Sequence, residues 1–298
     1  MAEPAVAVVV VTYDALPWLE PCLASVARYE TVVVDHGSTD GTLDLVRERF
    51  PRASVLEREN RGLAAGWNAG IAATSSRYVL LLNADAWARR DAVERLVRFA
   101  DDRPRAAVVA PRLRNLDGSL QRSVRGFPTL WRLATEYLFL RKLAPRSALL
   151  NGFYAGGFAH DEPRPIEWAM GAVLLVRRAA VEEVGPADES FFLFSEETDW
   201  CYRLAAAGWK VWFDPDAEFE HVGAAAHGGR LYVENLRGQL RFLAKHRGPR
   251  EAERARRLLL AGTRLRALVF PRERAVGYRE AARWLASGNA RALLDAPR

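Results

Sequence analysis

Asn83 and Asp85 stand two residues apart where the apolar run YVLLL (78–82) stops. Two readings compete. Strands end in turns, and Asn and Asp are good turn residues. Two oxygen-bearing side chains at the carboxyl edge of a parallel strand also suit a metal ion and a phosphate. Asp35 is placed in the same way after the run TVVV (31–34), ahead of Gly37, Ser38, Thr39, Asp40 and Gly41. A carboxylate at a strand tip can accept hydrogen bonds from a nucleobase N–H or a ribose hydroxyl. The Ser/Thr/Asp run would equally cap the next helix. The glycines lack the spacing of a dinucleotide fingerprint, and the chain has no Walker lysine.

A third carboxylate stands out in SEETDWCYRL (195–204). At 100° per residue, Glu196, Asp199 and Arg203 share one side of a helix, while Glu197 falls with Trp200, Cys201 and Leu204. A carboxylate on an apolar stripe is costly to bury. Partial desolvation would raise its pKa and make it a better proton acceptor near neutral pH. The plainer reading is a helix-start glutamate that favours the macrodipole. Asp199 and Arg203 read as a structural i,i+4 pair. His221 in EHVG and His227 among glycines are lone histidines, a type that more often serves structure than ligation.

The elements that must position these residues alternate over the first hundred positions. Ala5–Thr12, Thr31–Asp35, Ser54–Glu57 and Tyr78–Asn83 read as strands. Pro17–Tyr29, Gly41–Phe50, Leu63–Thr74 and Asp91–Asp102 read as helices. Such alternation predicts an α/β fold with a parallel sheet, right-handed crossovers and a ligand beyond the carboxyl ends of the strands. Gly66 and Gly70 sit inside a helix, where glycine costs about 1 kcal/mol against alanine, so ligand approach or tight helix–sheet packing must account for them. Further on, Asp117-Gly118 predicts a hairpin or loop insertion within 106–125. Residues 141–165 are irregular, a segment expected to be mobile over the cleft. Ile166–Val176, Lys210–Phe213 and Glu218–Val222 read as strands and Glu196–Ala207 as a helix. From Leu231 the chain is helical and rich in Arg, Leu and Ala, which divides it into 1–228 and a helical extension, 229–298.

Composition bounds the rest. Half the residues are hydrophobic and 27% charged, ordinary for a globular protein with a real core. No apolar window of spanning length occurs, and the N-terminus lacks a basic leader pattern, so a cytoplasmic location is expected. Cys22 and Cys201 lack metal-ligand spacing and read as small buried hydrophobes in a reducing compartment. The formal charge is +6, and nearly all the positive charge is arginine, which suits phosphate groups. No zinc-finger or RNA-binding signature accompanies that charge, so nucleic acid is not an expected partner. In RARRLLLAGTRLRALVF (254–270) the charges do not separate cleanly from the leucines. This argues against membrane insertion and leaves peripheral contact with anionic lipid at the inner membrane face.

VVVVTYD, VDHGSTDGT, NRGLAAGWNAGI, LLLNADA and FLFSEETDWCYRL together resemble family 2 glycosyltransferases, most closely their rhamnosyltransferase-type branch, over about residues 5–225. The resemblance implies the GT-A fold, a nucleotide-sugar donor and inversion at the anomeric carbon. It places Thr12, Tyr13, Asp35, Asn68 and Asn83 on the donor. The family's Asp-x-Asp metal motif reads Asn83-Ala84-Asp85 here, one formal charge short. Asp85 is then the better ligand for Mg²⁺ or Mn²⁺, with His221 reaching the metal or the diphosphate. Glu197 matches the position of the general base. Trp168 and Gly171 match the acceptor side, although a core role fits Trp168 nearly as well.

The expected reaction moves a sugar, rhamnose from a dTDP donor first, to a hydroxyl of a surface polysaccharide or lipid-linked saccharide. Two rivals remain: a nucleotidyltransferase, for which no basic glycine-rich loop is found near the N-terminus, and a non-catalytic sugar-nucleotide-binding protein.

Overall fold

In β1 (Val6–Thr12, VAVVVVT) all but one residue is buried, the pattern of a parallel strand covered on both faces. The computed structural model describes residues 5–223 and 229–294; His227 lies outside them. After β1 come α1 (Leu16–Val26), β2 (Glu30–Asp35), α2 (Thr42–Arg49), β3 (Ser54–Glu57), α3 (Leu63–Ala72) and β4 (Tyr78–Asn83). These agree with the alternation read from the sequence to within a few residues at each end. The chain continues through β5 (Ala86–Ala88), α4 (Ala92–Asp101), β6 (Ala106–Arg114), β7 (Leu120–Gln121), β8 (Val124–Arg125) and α5 (Leu130–Tyr137). Short strands β9 (Arg164–Ile166), β10 (Trp168–Ala169) and β11 (Val173–Arg177) precede α6 (Arg178–Val184), α7 (Glu196–Ala206) and β12 (Lys210–His221). Helices α8 (Gly229–Arg247), α9 (Pro249–Val269), α10 (Arg272–Ala286) and α11 (Gly288–Ala292) follow.

Two compact units result. The first holds the residues up to Val124, with Ala159–Phe192 and Asp199–Gly223. The second holds Arg125–Phe158, Leu193–Thr198 and the C-terminal helices.

The sheet of the first unit runs β3-β2-β1-β4-β11-β6-β12-β5. β3, β2, β1 and β4 are parallel, as expected, whereas β11 lies antiparallel to both β4 and β6. The strand expected at Ile166–Val176 is in fact three pieces. Met170 N–H donates to Ser123 O and Asn83 N–H donates to Ala172 O, so the chain turns between β10 and β11. The two strands expected at 210–213 and 218–222 are one, β12, with a register shift between Asp214 and Glu218. Asp117-Gly118 does turn the β6–β7 hairpin, with Gly118 at φ 79°.

The helix glycines have a packing reason. A Cβ at Gly70 would lie 2.2 Å from Val9 Cγ1, and one at Gly66 2.7 Å from Val11 Cγ1. α3 therefore rides directly on β1. Both cysteines are buried thiols, and burial pushes the Cys22 thiol far up.

In the second unit α5 packs along α9, where a Cβ at Gly262 would meet Tyr137 at 2.6 Å. Arg266 of α9 reaches Glu136 Oε1 at 2.8 Å in a buried ion pair. Arg256 ties α9 to α10 through the Leu285 carbonyl. The irregular 141–165 stretch includes two 3-10 turns, at Leu140–Lys142 and Gly152–Tyr154. Among the described residues no helix is long and apolar enough to cross a membrane.

Candidate active site

Register gathers the polar strand ends. Thr12 pairs with Asp35, and Val11 with Asn83, so Asp35 and Asn83 flank β1 about 10 Å apart at one edge. Asp35 is fully buried. Its Oδ2 accepts the N–H groups of Gly37 and Ser38, each at 2.9 Å, and its Oδ1 takes the Ser38 hydroxyl. The loop is then laced to the end of β1: Asp14 N–H donates to Ser38 Oγ, Thr39 N–H to Asp14 Oδ1 and Leu16 N–H to Asp40 Oδ2. A carboxylate offers about four lone-pair sites, and three of Asp35's are engaged in shaping the loop. Thr12 Oγ1 is buried with no hydrogen-bond partner among the described residues, and Tyr13 is 58% exposed. Next to this loop, His36, Arg58, Arg61, Ala65, Asn68 and Glu189 line a cleft of about 400 Å³. Burial lowers the His36 imidazole below its ordinary value despite the neighbouring Asp35. A cleft of about 250 Å³ also lies around the start of β2, at the opposite end of the strands, lined by Leu23, Tyr29 and Phe50 and containing no carboxylate.

Asp85 sits in the turn between β4 and β5, and the antiparallel pairing of β5 with β12 sets Ala86 opposite His221. His221 Nε2 is thereby 3.3 Å from Asp85 Oδ1. Gly223 N–H donates to Asp85 Oδ2 at 3.2 Å. Burial alone would raise the Asp85 carboxyl, but the His221 bond and charge and the Gly223 N–H outweigh it and hold it below the ordinary value. Behind the imidazole, Gln121 Nε2 donates to Asn115 Oδ1 and to His221 O, which leaves Gln121 Oε1 as acceptor for His221 Nδ1 at 2.6 Å. With Nδ1 engaged by Gln121, Nε2 is the ring nitrogen that faces the Asp85 carboxylate. Gln121 is a residue the sequence reading missed.

These two side chains fit a divalent cation. Two ligands each about 2.1 Å from one octahedral ion stand about 3 Å apart, close to the spacing found. No cluster of three or more His, Cys, Asp or Glu side chains suited to a metal occurs among the described residues. Mg²⁺ takes only one or two protein ligands alongside phosphate oxygens, which two suffice to provide.

Glu197 lies in the first turn of α7, in the part of that helix assigned to the second unit, and is 7% exposed. Glu196, assigned to the polar side by the helical wheel, is buried as well, at 2%. The wheel fails at this first turn because the chain packs around it. Phe194 and Ser195 hold left-handed backbone at φ 68° and 72°, and Gly238 of α8 comes close enough that a Cβ there would lie 2.5 Å from Phe194 O. Burial, then the charge of Glu197, pushes the Glu196 carboxyl well above its ordinary value. In the first unit Arg203 Nε binds Asp199 Oδ2 at 2.8 Å, the structural pair expected.

Asn68 spans from α3 to the loop after α6. Its amide donates to Ala187 O and Glu189 Oε1 and accepts Ala187 N–H, so it fixes a wall of the arginine-lined cleft. Asn83 is half-buried at the end of β4. Trp168 is 8% exposed, which leaves little of its face to a sugar and matches the core alternative. Gly171 lies in the turn just before β11.

A Rossmann-like sheet with polar strand ends, and with Asp85 in the turn after β4 set beside His221 at the end of β12, is the architecture of a GT-A glycosyltransferase. The chain belongs to glycosyl transferase family 2, whose model matches residues 7–159. It is 32% identical to the N-acetylglucosaminyl-diphospho-decaprenol L-rhamnosyltransferase of Mycobacterium tuberculosis, over 74% of this chain and 77% of that one. It is 26% identical to the pre-mycofactocin glycosyltransferase of the same organism, over 89% of this chain and 52% of that one. Among solved structures, the mannosyltransferase PcManGT from Pyrobaculum calidifontis, in complex with GDP-Man and Mn²⁺, superposes with a TM-score of 0.56. It covers 99% of this chain and 86% of that one at 19% identity. GalNAc-T7 with UDP, GalNAc and Mn²⁺ gives a TM-score of 0.57 at 15% identity, over 81% of this chain and 48% of that one.

Proposed function

We propose that this glycosyltransferase moves a sugar, with rhamnose from a dTDP donor the first expectation, to a hydroxyl of a lipid-linked saccharide with inversion at the anomeric carbon. The donor and acceptor are argued from the relative that, by its name, acts on N-acetylglucosaminyl-diphospho-decaprenol. The single observation that supports the chemistry most is the Asp85–His221 pair, at the same sheet edge as the Asp35 loop.

In this reading the nucleotide lies on the Asp35 loop, with its base near Tyr13 and its ribose within reach of Thr12 and Asn83. Arg58 and Arg61 in the neighbouring cleft supply positive charge. Asp85 and His221 would hold a divalent cation, Mg²⁺ or Mn²⁺. When bound, that cation neutralises charge on the departing diphosphate. Glu197 accepts the proton of the acceptor hydroxyl as its oxygen attacks the anomeric carbon. Glu197 is buried, at 7% exposure, which keeps bulk water from competing for that proton. In this reading Gly171 lies on the acceptor side, while Trp168, only 8% exposed, serves the core.

The test incubates purified chain with dTDP-rhamnose or a panel of UDP-sugars and a short-chain prenyl-diphospho-N-acetylglucosamine, with Mg²⁺ or Mn²⁺. A product heavier by one deoxyhexose is expected. Synthesis of a sugar nucleotide from a sugar phosphate would instead make the protein a nucleotidyltransferase. Donor binding with no turnover on any acceptor would make it a binding protein.

A further inference from the structure

We propose that the second unit carries an edge that docks on an anionic phospholipid surface. α9 and α10 meet at Phe270, whose ring lies 5.9 Å from Phe139 and 5.4 Å from Tyr278. Phe139 leads into the 3-10 turn Leu140–Lys142, and at about 2 Å per residue Leu143 follows it within about 8 Å. Three stretches of chain thus converge on one aromatic cluster. The apolar side chains beside that cluster are left outside: Leu268 is 85% exposed, Leu143 78%, Val269 63% and Val276 58%. Leu265, Leu268 and Val269 follow i, i+3, i+4 spacing on α9, so they share one helix face, while Leu259, Gly262 and Arg266 of the same helix are buried. A group of large apolar side chains on a surface marks an interaction site.

Charge selects the occupant. Lys142, Arg264, Arg272 and Arg274, close to these side chains along the chain, are exposed, and Lys142 Nζ lies 4.8 Å from the Phe139 ring. No acidic residue occurs from 137 to 160 or from 254 to 272, and Glu273 is the acid of the first turn of α10. Leucines flanked by basic side chains match a bilayer rim, with the apolar groups at the acyl boundary and the cations among phosphate headgroups. With no spanning helix among the described residues, the contact is peripheral. A lipid-linked acceptor gives the edge its purpose, and in that respect the inference rests on the reading above.

The experiment is co-sedimentation of the full chain with vesicles of phosphatidylcholine, with and without phosphatidylglycerol. Binding is expected only with phosphatidylglycerol, weakening as salt rises. Arg272→Glu and Arg274→Glu each lower the partition by about five-fold or more. The double change Leu268→Asp, Val269→Asp lowers it by about ten-fold or more. These side chains are exposed, so the variants keep the parent melting temperature. Equal binding to both vesicle types, or variants that bind like the parent, overturns the proposal. So does a shift from dimer to monomer in the Leu268→Asp, Val269→Asp variant on size exclusion, which would make a second copy the occupant. Transfer to the short-chain prenyl-diphospho-N-acetylglucosamine in the absence of vesicles separates the two readings. Its absence in the parent chain sinks the transferase reading alone, and transfer without vesicle binding sinks the docking edge alone.

Discussion

The Gln121 carboxamide oxygen lies 2.6 Å from His221 Nδ1 and holds the imidazole so that its other nitrogen faces Asp85. Partners of this kind behind a ligating histidine are typically worth 10–100-fold in metal affinity. Gln121→Leu is therefore expected to weaken Mn²⁺ binding by about 10–100-fold, measured by the electron spin resonance signal of free Mn²⁺ in the presence of thymidine diphosphate. Gln121→Glu, which still accepts from Nδ1, should restore it. Nitrogen-detected NMR of the His221 ring reads the tautomer directly, and a ring unchanged in Gln121→Leu would remove Gln121 from this role.

Glu197→Gln keeps the size of the side chain and removes the proton acceptor. Turnover is expected to fall by about 10²–10⁴-fold, with donor affinity by calorimetry unchanged. Full turnover in this variant would take Glu197 out of the mechanism.

Glu196 predicts a pH dependence of stability. Its folded-state pKa is raised by burial and by Glu197, so above the ordinary glutamate value the folded chain keeps a proton that the unfolded chain has released. That difference lowers stability progressively as pH rises from the ordinary value through the raised one. Glu196→Gln removes the titration. Thermal melts should show a flatter dependence on pH above about 4.3 and, near neutral pH, a melting temperature higher by about 2 °C or more. An identical pH slope in parent and variant would contradict the assignment.

Gly70→Ala ordinarily favours a helix by about 1 kcal/mol, yet here the added carbon meets Val9 at 2.2 Å. The expected result is a loss of about 1–3 kcal/mol by urea unfolding. Val9→Ala in the same chain should recover part of it, since it removes the opposing methyl groups.

Much of the first unit was legible because its parallel strands are buried on both faces and stop at polar residues. Thr12, Asp35 and Asn83 announce one sheet edge in this way, and the strand register aligns them. The direction of β11 was not legible, since an apolar strand buried on both faces reads alike whether it runs parallel or antiparallel. Gln121 escaped because its partner lies a hundred residues away and a lone glutamine in a hairpin carries no local signal. Glu196 was misplaced because a wheel divides a helix into two faces, whereas this first turn is enclosed on both. Leu268 and Val269 were lost in the arginine-rich background of α9, because spacing does not reveal where a helix runs out of neighbours.

The hairpin formed by β6 and β7 has two regions with opposite tolerance for editing. Its tip, Leu116 to Ser119, is exposed and should accept inserted residues or a cut backbone. Its stem should accept neither. Side chains alternate from one face of a strand to the other, so a single residue added between Ser119 and Gln121 would swing the carboxamide away from the imidazole. Loop grafting at this hairpin is therefore safe only in the tip.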